Sequence, residues 1–168
     1  MTLAELNALP RYRAESELIQ CCGSRAWARN LARRRPFQNP GRLIRASSDV
    51  WWTLDESDWR EAFAAHPRIG AHQSAVLSAA RAQTWSQQEQ SGMRRANDGI
   101  IADLEQSNQK YFGTFGYIFI VCATGKTADE MLTILKSRLS NPPDQEIRIA
   151  AEEQDKITRL RLEKLVSA

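Results

Sequence analysis

The chain has 168 residues, enough for one domain with a single sizeable core. Its make-up, 42% hydrophobic and 26% charged with a net charge of +3, is that of an ordinary globular protein and gives no electrostatic case for a nucleic-acid or membrane partner. Three cysteines, two of them adjacent at Cys21 and Cys22, make no disulfide framework; with no leader-like segment in Met1–Leu9 and no apolar run near the roughly 18 residues of a membrane span, the expected compartment is the cytoplasm.

Thr2 with Glu5 reads as a capping box that opens a short first helix. Ser24 can cap a second segment, in which Trp27 and Leu31 recur at helical spacing before Arg33, Arg34, Arg35 and Pro36. The arginine run reads as a solvated helix end, where cations suit the dipole. Arg42 to Trp52 carries Leu43, Ile44, Val50 and Trp51 nearer to a 3.6-residue period than to alternation. Asp55 or Ser57 then starts a helix containing Trp59, Ala62 and Phe63, which stops at His66-Pro67 because a residue before proline is pushed out of the α region.

Ser86 with Glu89 forms another box, opening a long helix through Ile100, Ile101 and Leu104 towards Tyr111. Thr127 with Glu130 is the clearest box, ahead of Met131, Leu132, Leu135 and Leu139, and Asn141-Pro142-Pro143 ends that helix. Asp144 is expected to cap the last helix, whose Ile147, Ala150, Ile157, Leu160 and Leu165 share one broad face. Tyr117 to Ala123 is the exception. Bounded by Gly116 and Gly125 and rich in β-branched residues, it would read alone as a strand, yet no second segment offers it a ladder. The expected fold is therefore all-α: a single-domain multi-helix bundle over 1–168 with one short extended apolar segment near 117–123. The five tryptophans (Trp27, Trp51, Trp52, Trp59 and Trp85) are read as core anchors.

Three places could carry chemistry. His66, fixed between a helix end and Pro67-Arg68-Ile69-Gly70, is the side chain best suited to move protons near neutral pH; it could equally cap a helix terminus through a carbonyl. Ser86, Glu89 and Gln90 fall at i, i+3 and i+4, so an acid or base and two neutral hydrogen-bonding groups can face one site; a polar surface turn reads the same way. Phe119 to Ala123 runs into Thr124-Gly125-Lys126-Thr127, which fails as a phosphate loop because Ile120 stands where the earlier glycine is required. Two histidines six apart, His66 and His72, with no cysteine at ligand spacing argue against zinc, and no nucleophile elbow surrounds a serine. From the residues alone this is a helical domain in which His66 stands out.

The order of these parts adds more. Trp27 after Cys22-Gly23-Ser24, then Arg35-Pro36-Phe37, then Ala62-Phe63-Ala64-Ala65-His66-Pro67-Arg68-Ile69-Gly70, resembles the OHCU decarboxylase family, whose substrate is 2-oxo-4-hydroxy-4-carboxy-5-ureidoimidazoline (OHCU). Glu89-Gln90, Asn108-x-x-Tyr111, Phe115-Gly116-Tyr117-x-Phe119-Ile120, Arg138-Leu139-x-Asn141 and the tail from Glu146 through Lys156 to Leu162 continue the likeness. The resemblance implies an all-α, homodimeric enzyme that releases carbon dioxide from OHCU and forms S-allantoin without metal or organic cofactor. It also implies that His66 donates or relays the proton and that Glu89 orients it or bonds the ureido group. Pro67, Ser86, Gln87, Gln88, Glu89, Gln90 and the run Phe119, Ile120, Val121, Cys122, Ala123 would line the substrate. Arg161 is either a cation near the anionic substrate or a surface residue of the last helix. Ala71-His72 departs from many relatives, so His72 either tunes the site or sits at its rim. Two other readings stay open: a lyase for a related ureido acid on the same scaffold, and a non-catalytic helical module binding through Arg33, Arg34 and Arg35.

Overall fold

The computed structural model describes residues 1–67 and 98–167. Arg68, Ile69, Gly70, His72, Trp85 and the Ser86–Gln90 stretch lie outside the described residues. Among those described, every regular element is a helix, and the only ladder contact is an isolated antiparallel bridge between Thr2 and Ser167. The chain divides into two compact units, Met1–Ala62 with Gln154–Ala168, and Phe63–Glu153.

The first unit begins with α1, Leu3–Ala8. Its box forms as expected: Thr2 Oγ1 accepts from the Glu5 N–H at 3.2 Å and the Glu5 carboxylate from the Thr2 N–H at 2.7 Å. Helix α2, Arg11–Cys22, was not anticipated; Pro10 opens it without any side-chain cap, and its apolar stripe (Ala14, Leu18, Cys21, Cys22) is thin. Gly23, at φ 89, closes it by giving its N–H to the Ile19 carbonyl, a left-handed position that a side chain would strain.

Helix α3, Arg25–Ala32, starts on Ser24, whose Oγ accepts from the Trp27 N–H at 3.2 Å. It buries Trp27, Ala28, Leu31 and Ala32 against α2 and against α4, Pro40–Trp51. Trp27 Nε1 donates to the Ser47 carbonyl at 3.1 Å, so this fully buried indole leaves no orphan donor. Asn39 caps α4 with Pro40 at its first position, a start signal missed in the sequence. Asp55, not Ser57, opens α5, Glu56–Ala64: one of its oxygens takes the Ser57 hydroxyl at 2.6 Å and the Asp58 and Ser57 N–H groups, which together hold its carboxyl below the usual range.

Arg35 corrects the solvated reading of the arginine run. Its guanidinium donates to the carbonyls of Leu6 at 2.6 Å, Leu9 at 2.8 Å and Ala32 at 3.1 Å, so it satisfies the C-terminal ends of α1 and α3. Arg33 and Arg34 remain exposed. The tryptophans divide in the same way. Trp27 and Trp51 are buried, but Trp52 is 43% exposed and lies edge-on to Trp59, which also packs on Trp51.

The second unit holds α6, Asp98–Phe115, and α7, Ala128–Arg138, packed on each other. Its core gathers Phe63, Leu104, Tyr111, Phe115, Tyr117, Phe119, Met131 and Leu135. Gly116, at φ 78, gives its N–H to the Phe112 carbonyl and turns the chain out of α6 into the apolar run. Residues 118–123 are neither helix nor strand, and Phe119 to Cys122 are buried, as expected of an extended segment with no ladder partner. The Thr127–Glu130 box opens α7 with both reciprocal bonds. Helix α8, Pro143–Val166, is not capped by Asp144: Pro143 already lies inside it, and the Pro142 carbonyl takes the Gln145 and Glu146 N–H groups. Proline's fixed φ suits that first position, leaving Asp144 in the first turn, where it complements the dipole. No helix among the described residues is long and apolar enough to cross a membrane.

Candidate functional site

His66 sits two residues beyond α5, where the chain leaves the helix ahead of Pro67. Its N–H still reaches the Phe63 carbonyl at 3.2 Å, so the last helical turn fixes its backbone while its side chain is half-buried. Phe63 is fully buried, and its ring lies 5.2 Å from that of Tyr117, the first residue of the apolar run. The end of α5 that carries His66 and the start of the 117–123 segment are thus tied through one aromatic contact. Tyr117 in turn packs on Tyr111 and Phe115.

The segment itself is held by side chains that grip its backbone. Arg138 Nη1 donates to the Ile120 carbonyl at 2.7 Å, and its guanidinium carbon lies 4.7 Å from the centre of the Phe119 ring. Glu153 Oε2 accepts from the Cys122 N–H at 2.7 Å. Lys126 closes the far end: its Nζ donates to the Cys122 carbonyl at 2.9 Å and its N–H to the Ala123 carbonyl at 3.1 Å. The N–H and C=O of Val121 meet no partner among the described residues, although the residue is buried. A buried amide of that kind is costly unless a ligand or water completes it.

Behind the segment lies a buried ionic group. Arg138 Nε and Nη2 reach one oxygen of Glu146 at 2.7 and 2.5 Å, and the Tyr111 hydroxyl donates to the same oxygen. The other Glu146 oxygen accepts from Asn141 Nδ2 at 2.8 Å. Arg138 is 6% exposed and Glu146 not at all, so geometry and added donors must offset desolvation here. Burial pushes the Tyr111 phenol well above the usual tyrosine range; Arg138 opposes that shift and Glu146 reinforces it.

Sequence reasoning passed over Arg138, Glu146, Tyr111 and Glu153 as individual site-builders. A signal was present. Arg138 follows Met131 and Leu135 at i+7 and i+3, and Glu146 and Glu153 flank Ala150 at i−4 and i+3, so three charges stand on apolar stripes. A charge on a buried stripe calls for partners.

In the first unit, Arg161 is 4% exposed, so the surface alternative for it fails; its Nη1 faces the Cys21 carbonyl at 3.4 Å. It shares a buried polar face of α8 with Gln154 and Thr158, whose side chains bond each other at 3.1 Å. Cys21 and Cys22 are core residues, and burial pushes the Cys22 thiol up to about 12 against smaller opposing effects of Ser24, Thr158 and Arg161. Ser86, Gln87, Gln88, Glu89 and Gln90 lie outside the described residues. Among those described, no group of three or more His, Cys, Asp or Glu side chains is arranged to hold a metal ion.

Comparison with known proteins matches this arrangement to one family. The OHCU decarboxylase family matches residues 7–163. The uric acid degradation bifunctional protein TTL of Arabidopsis thaliana is 37% identical over 154 residues, covering 91% of this chain and 47% of that protein. The 2-oxo-4-hydroxy-4-carboxy-5-ureidoimidazoline decarboxylase of Amia calva is 30% identical over 132 residues, 79% of this chain and 75% of that one. A crystal structure of OHCU decarboxylase in the presence of (S)-allantoin superposes with a TM-score of 0.79 at 37% identity, covering 91% of this chain and 99% of that chain. A crystal structure of (S)-allantoin synthase, at 19% identity and a TM-score of 0.73, shares the fold. The chain thus spans about half the length of the Arabidopsis protein.

Proposed function

The chain belongs to the OHCU decarboxylase family, and from that membership we propose that it converts OHCU to (S)-allantoin in urate breakdown, as one domain over 1–168. The observation that carries the proposal is the family match from residue 7 to 163, which spans both units rather than one local motif. The related ureido-acid lyase has no observation of its own to favour it. The binding module is weakened because Arg35, one of its three cations, is spent on helix carbonyls.

The chemistry asks little of a protein beyond positioning and one proton. When the bond from the ring carbon to the carboxylate breaks, carbon dioxide leaves and the electron pair moves into the adjacent carbon–nitrogen double bond. The hydroxyl on that carbon then gives up its proton and becomes the product carbonyl, the ring nitrogen that took the electron pair gains a proton in exchange, and one further proton arrives at the ureido-bearing carbon. Which face receives the proton sets the handedness. His66, on restricted backbone at a helix end, serves as the proton donor, and Glu89 orients it or bonds the ureido group. Pro67, Ser86, Gln87, Gln88 and Gln90 line the substrate with Phe119, Ile120, Val121, Cys122 and Ala123, and Arg161 supplies positive charge towards the carboxylate. The active species is a homodimer in the cytoplasm.

The test is to generate OHCU from urate in situ, add the full chain and follow the circular dichroism of the allantoin formed. Rapid appearance of one enantiomer, lost in His66→Ala while the helical signal and Tm are kept, is the expected result. Decay at the spontaneous rate to racemic product overturns the proposal.

A further inference from the structure

We propose that Arg138 and Glu153 are positioning residues that clamp two successive peptide groups, so that the main chain of Val121 presents a strengthened donor and a strengthened acceptor to the substrate. The inference rests on the reading of 119–123 as a substrate-lining segment.

Peptide bonds between described residues are trans apart from Arg35-Pro36, so the Ile120 carbonyl and the Val121 N–H are opposite ends of one planar group. The same holds for the Val121 carbonyl and the Cys122 N–H. Arg138 holds the first group by its carbonyl at 2.7 Å, which directs the Val121 N–H away from the guanidinium. Glu153 holds the second by its N–H at 2.7 Å, which directs the Val121 carbonyl away from the carboxyl. Neither of these two outward ends has a partner among the described residues.

The charges have the right signs as well as the right places. A cation on a carbonyl oxygen draws electron density through the amide and makes its N–H a better donor. A carboxylate on an N–H pushes density the other way and makes the carbonyl a better acceptor. Reversed charges would weaken both ends. Arg138 cannot swing away, because Glu146 takes its Nε and Nη2 and Phe119 lies across its face. A ureido or ring-amide edge carries an N–H beside a C=O, and it is the ligand chemistry that a paired acceptor and donor on one residue recognises.

The test compares Glu153→Gln, Glu153→Leu and Arg138→Lys with the wild-type chain, using OHCU generated in situ. Glu153→Gln keeps a neutral acceptor and is expected to raise KM about threefold; Glu153→Leu removes the acceptor and raises it about tenfold, with kcat within about twofold in both. Arg138→Lys cannot meet the Ile120 carbonyl and both Glu146 contacts at once, so KM rises and Tm falls together. A merely structural role for Glu153 would lower Tm without that KM order. In wild-type chain labelled with 15N-valine, titration with (S)-allantoin is expected to move the Val121 amide signal downfield. That measurement and Glu153→Gln decide the matter if a harsher variant does not fold. An unchanged KM in Glu153→Leu or Glu153→Gln, with a Val121 signal indifferent to allantoin, overturns the clamp while the decarboxylase reading stands. If the wild-type chain itself fails to accelerate OHCU loss, that reading falls first and the clamp loses its substrate with it.

Discussion

Replacing Tyr111 by Phe removes one hydroxyl from the buried ionic group, with its bond to Glu146 and a long one from Arg138 Nη2 at 3.4 Å. The ring contacts with Phe115 at 4.7 Å, Phe119 at 5.5 Å and Tyr117 at 5.8 Å survive the substitution, because only the hydroxyl is removed. What is lost is chiefly the donor to Glu146, since the contact from Arg138 Nη2 is long, and bonds to charged groups contribute about 1.5–3 kcal/mol. The loss falls at the low end, about 1.5–2 kcal/mol, since the Glu146 oxygen keeps two Arg138 donors and no orphan polar atom is created. For a chain of 168 residues that corresponds to a Tm lower by about 3–8 °C. Urea unfolding followed by far-UV circular dichroism reads it directly, with the m-value unchanged. The pH dependence adds a second signature. Because burial raises the folded phenol above the ordinary tyrosine pKa of about 10, its contribution is fully present below that pH and drains away above it. Phe has nothing to lose there, so the two stability curves converge on the alkaline side. A cost below about 0.5 kcal/mol at pH 7, or a gap that widens with alkali, refutes the argument.

Other substitutions probe the first unit and the helix starts. The Asp155 carboxyl, part-buried and raised by desolvation against the opposing Ser48 bonds and Arg159, contributes stability below its unfolded pKa of about 4 and loses it as pH rises through the folded value. Asp155→Asn keeps an acceptor for Ser48, so at pH 7 it should match or exceed wild type by up to about 1 kcal/mol in urea melts; a clear loss would contradict the desolvation account. The Cys22 thiol, raised from 9.0 to about 12, keeps its contribution below the lower of those values and loses it across the window between them. Thermal melts across that window should slope downward in wild type and be flatter in Cys22→Ala, and parallel slopes would count against it. Thr127→Ala should cost about 1 kcal/mol, because the Glu130 N–H loses its acceptor at the start of α7. Urea midpoints indistinguishable from wild type would show that the box is ornamental.

What could be read in the sequence follows the range of each interaction. Both described capping boxes, Thr2–Glu5 and Thr127–Glu130, close within four residues, and the residue types dictate the geometry. The start of α8 was misplaced by a similar local rule, because Asp144 is a good cap but Pro143 already occupies the first helical position. Helix α2 escaped notice because Pro10 supplies no cap and its buried face includes Ala14 and two cysteines. Arg35 was misread because its acceptors, the Leu6 and Leu9 carbonyls, lie well over twenty residues back along the chain. The irregular state of 118–123 was legible by elimination, since no other segment could pair with it. Its support was not: Arg138 and Glu146 meet across the Pro142-Pro143 break, and no local pattern joins them. His66 drew attention through its chemistry, and Ser86, Glu89 and Gln90 through their i, i+3, i+4 spacing, with the family likeness adding Gln87 and Gln88.

The uneven placement of the aromatic residues has an optical consequence. All four described indoles, Trp27, Trp51, Trp52 and Trp59, belong to the first unit, while the described rings of the second are Tyr and Phe. Trp59 stands 6.0 Å from Trp51 and 5.7 Å from Trp52, close enough for the three chromophores to couple and to transfer excitation among themselves. Selective excitation of tryptophan in a Trp85→Phe background would therefore report on the first unit alone. Acrylamide would quench the exposed Trp52 first, and with Tyr12 of the first unit also replaced by Phe, the tyrosine bands of Tyr111 and Tyr117 would report on the second. The protein thus carries two spectroscopic channels, through which the order of melting of its two units can be followed without any added label.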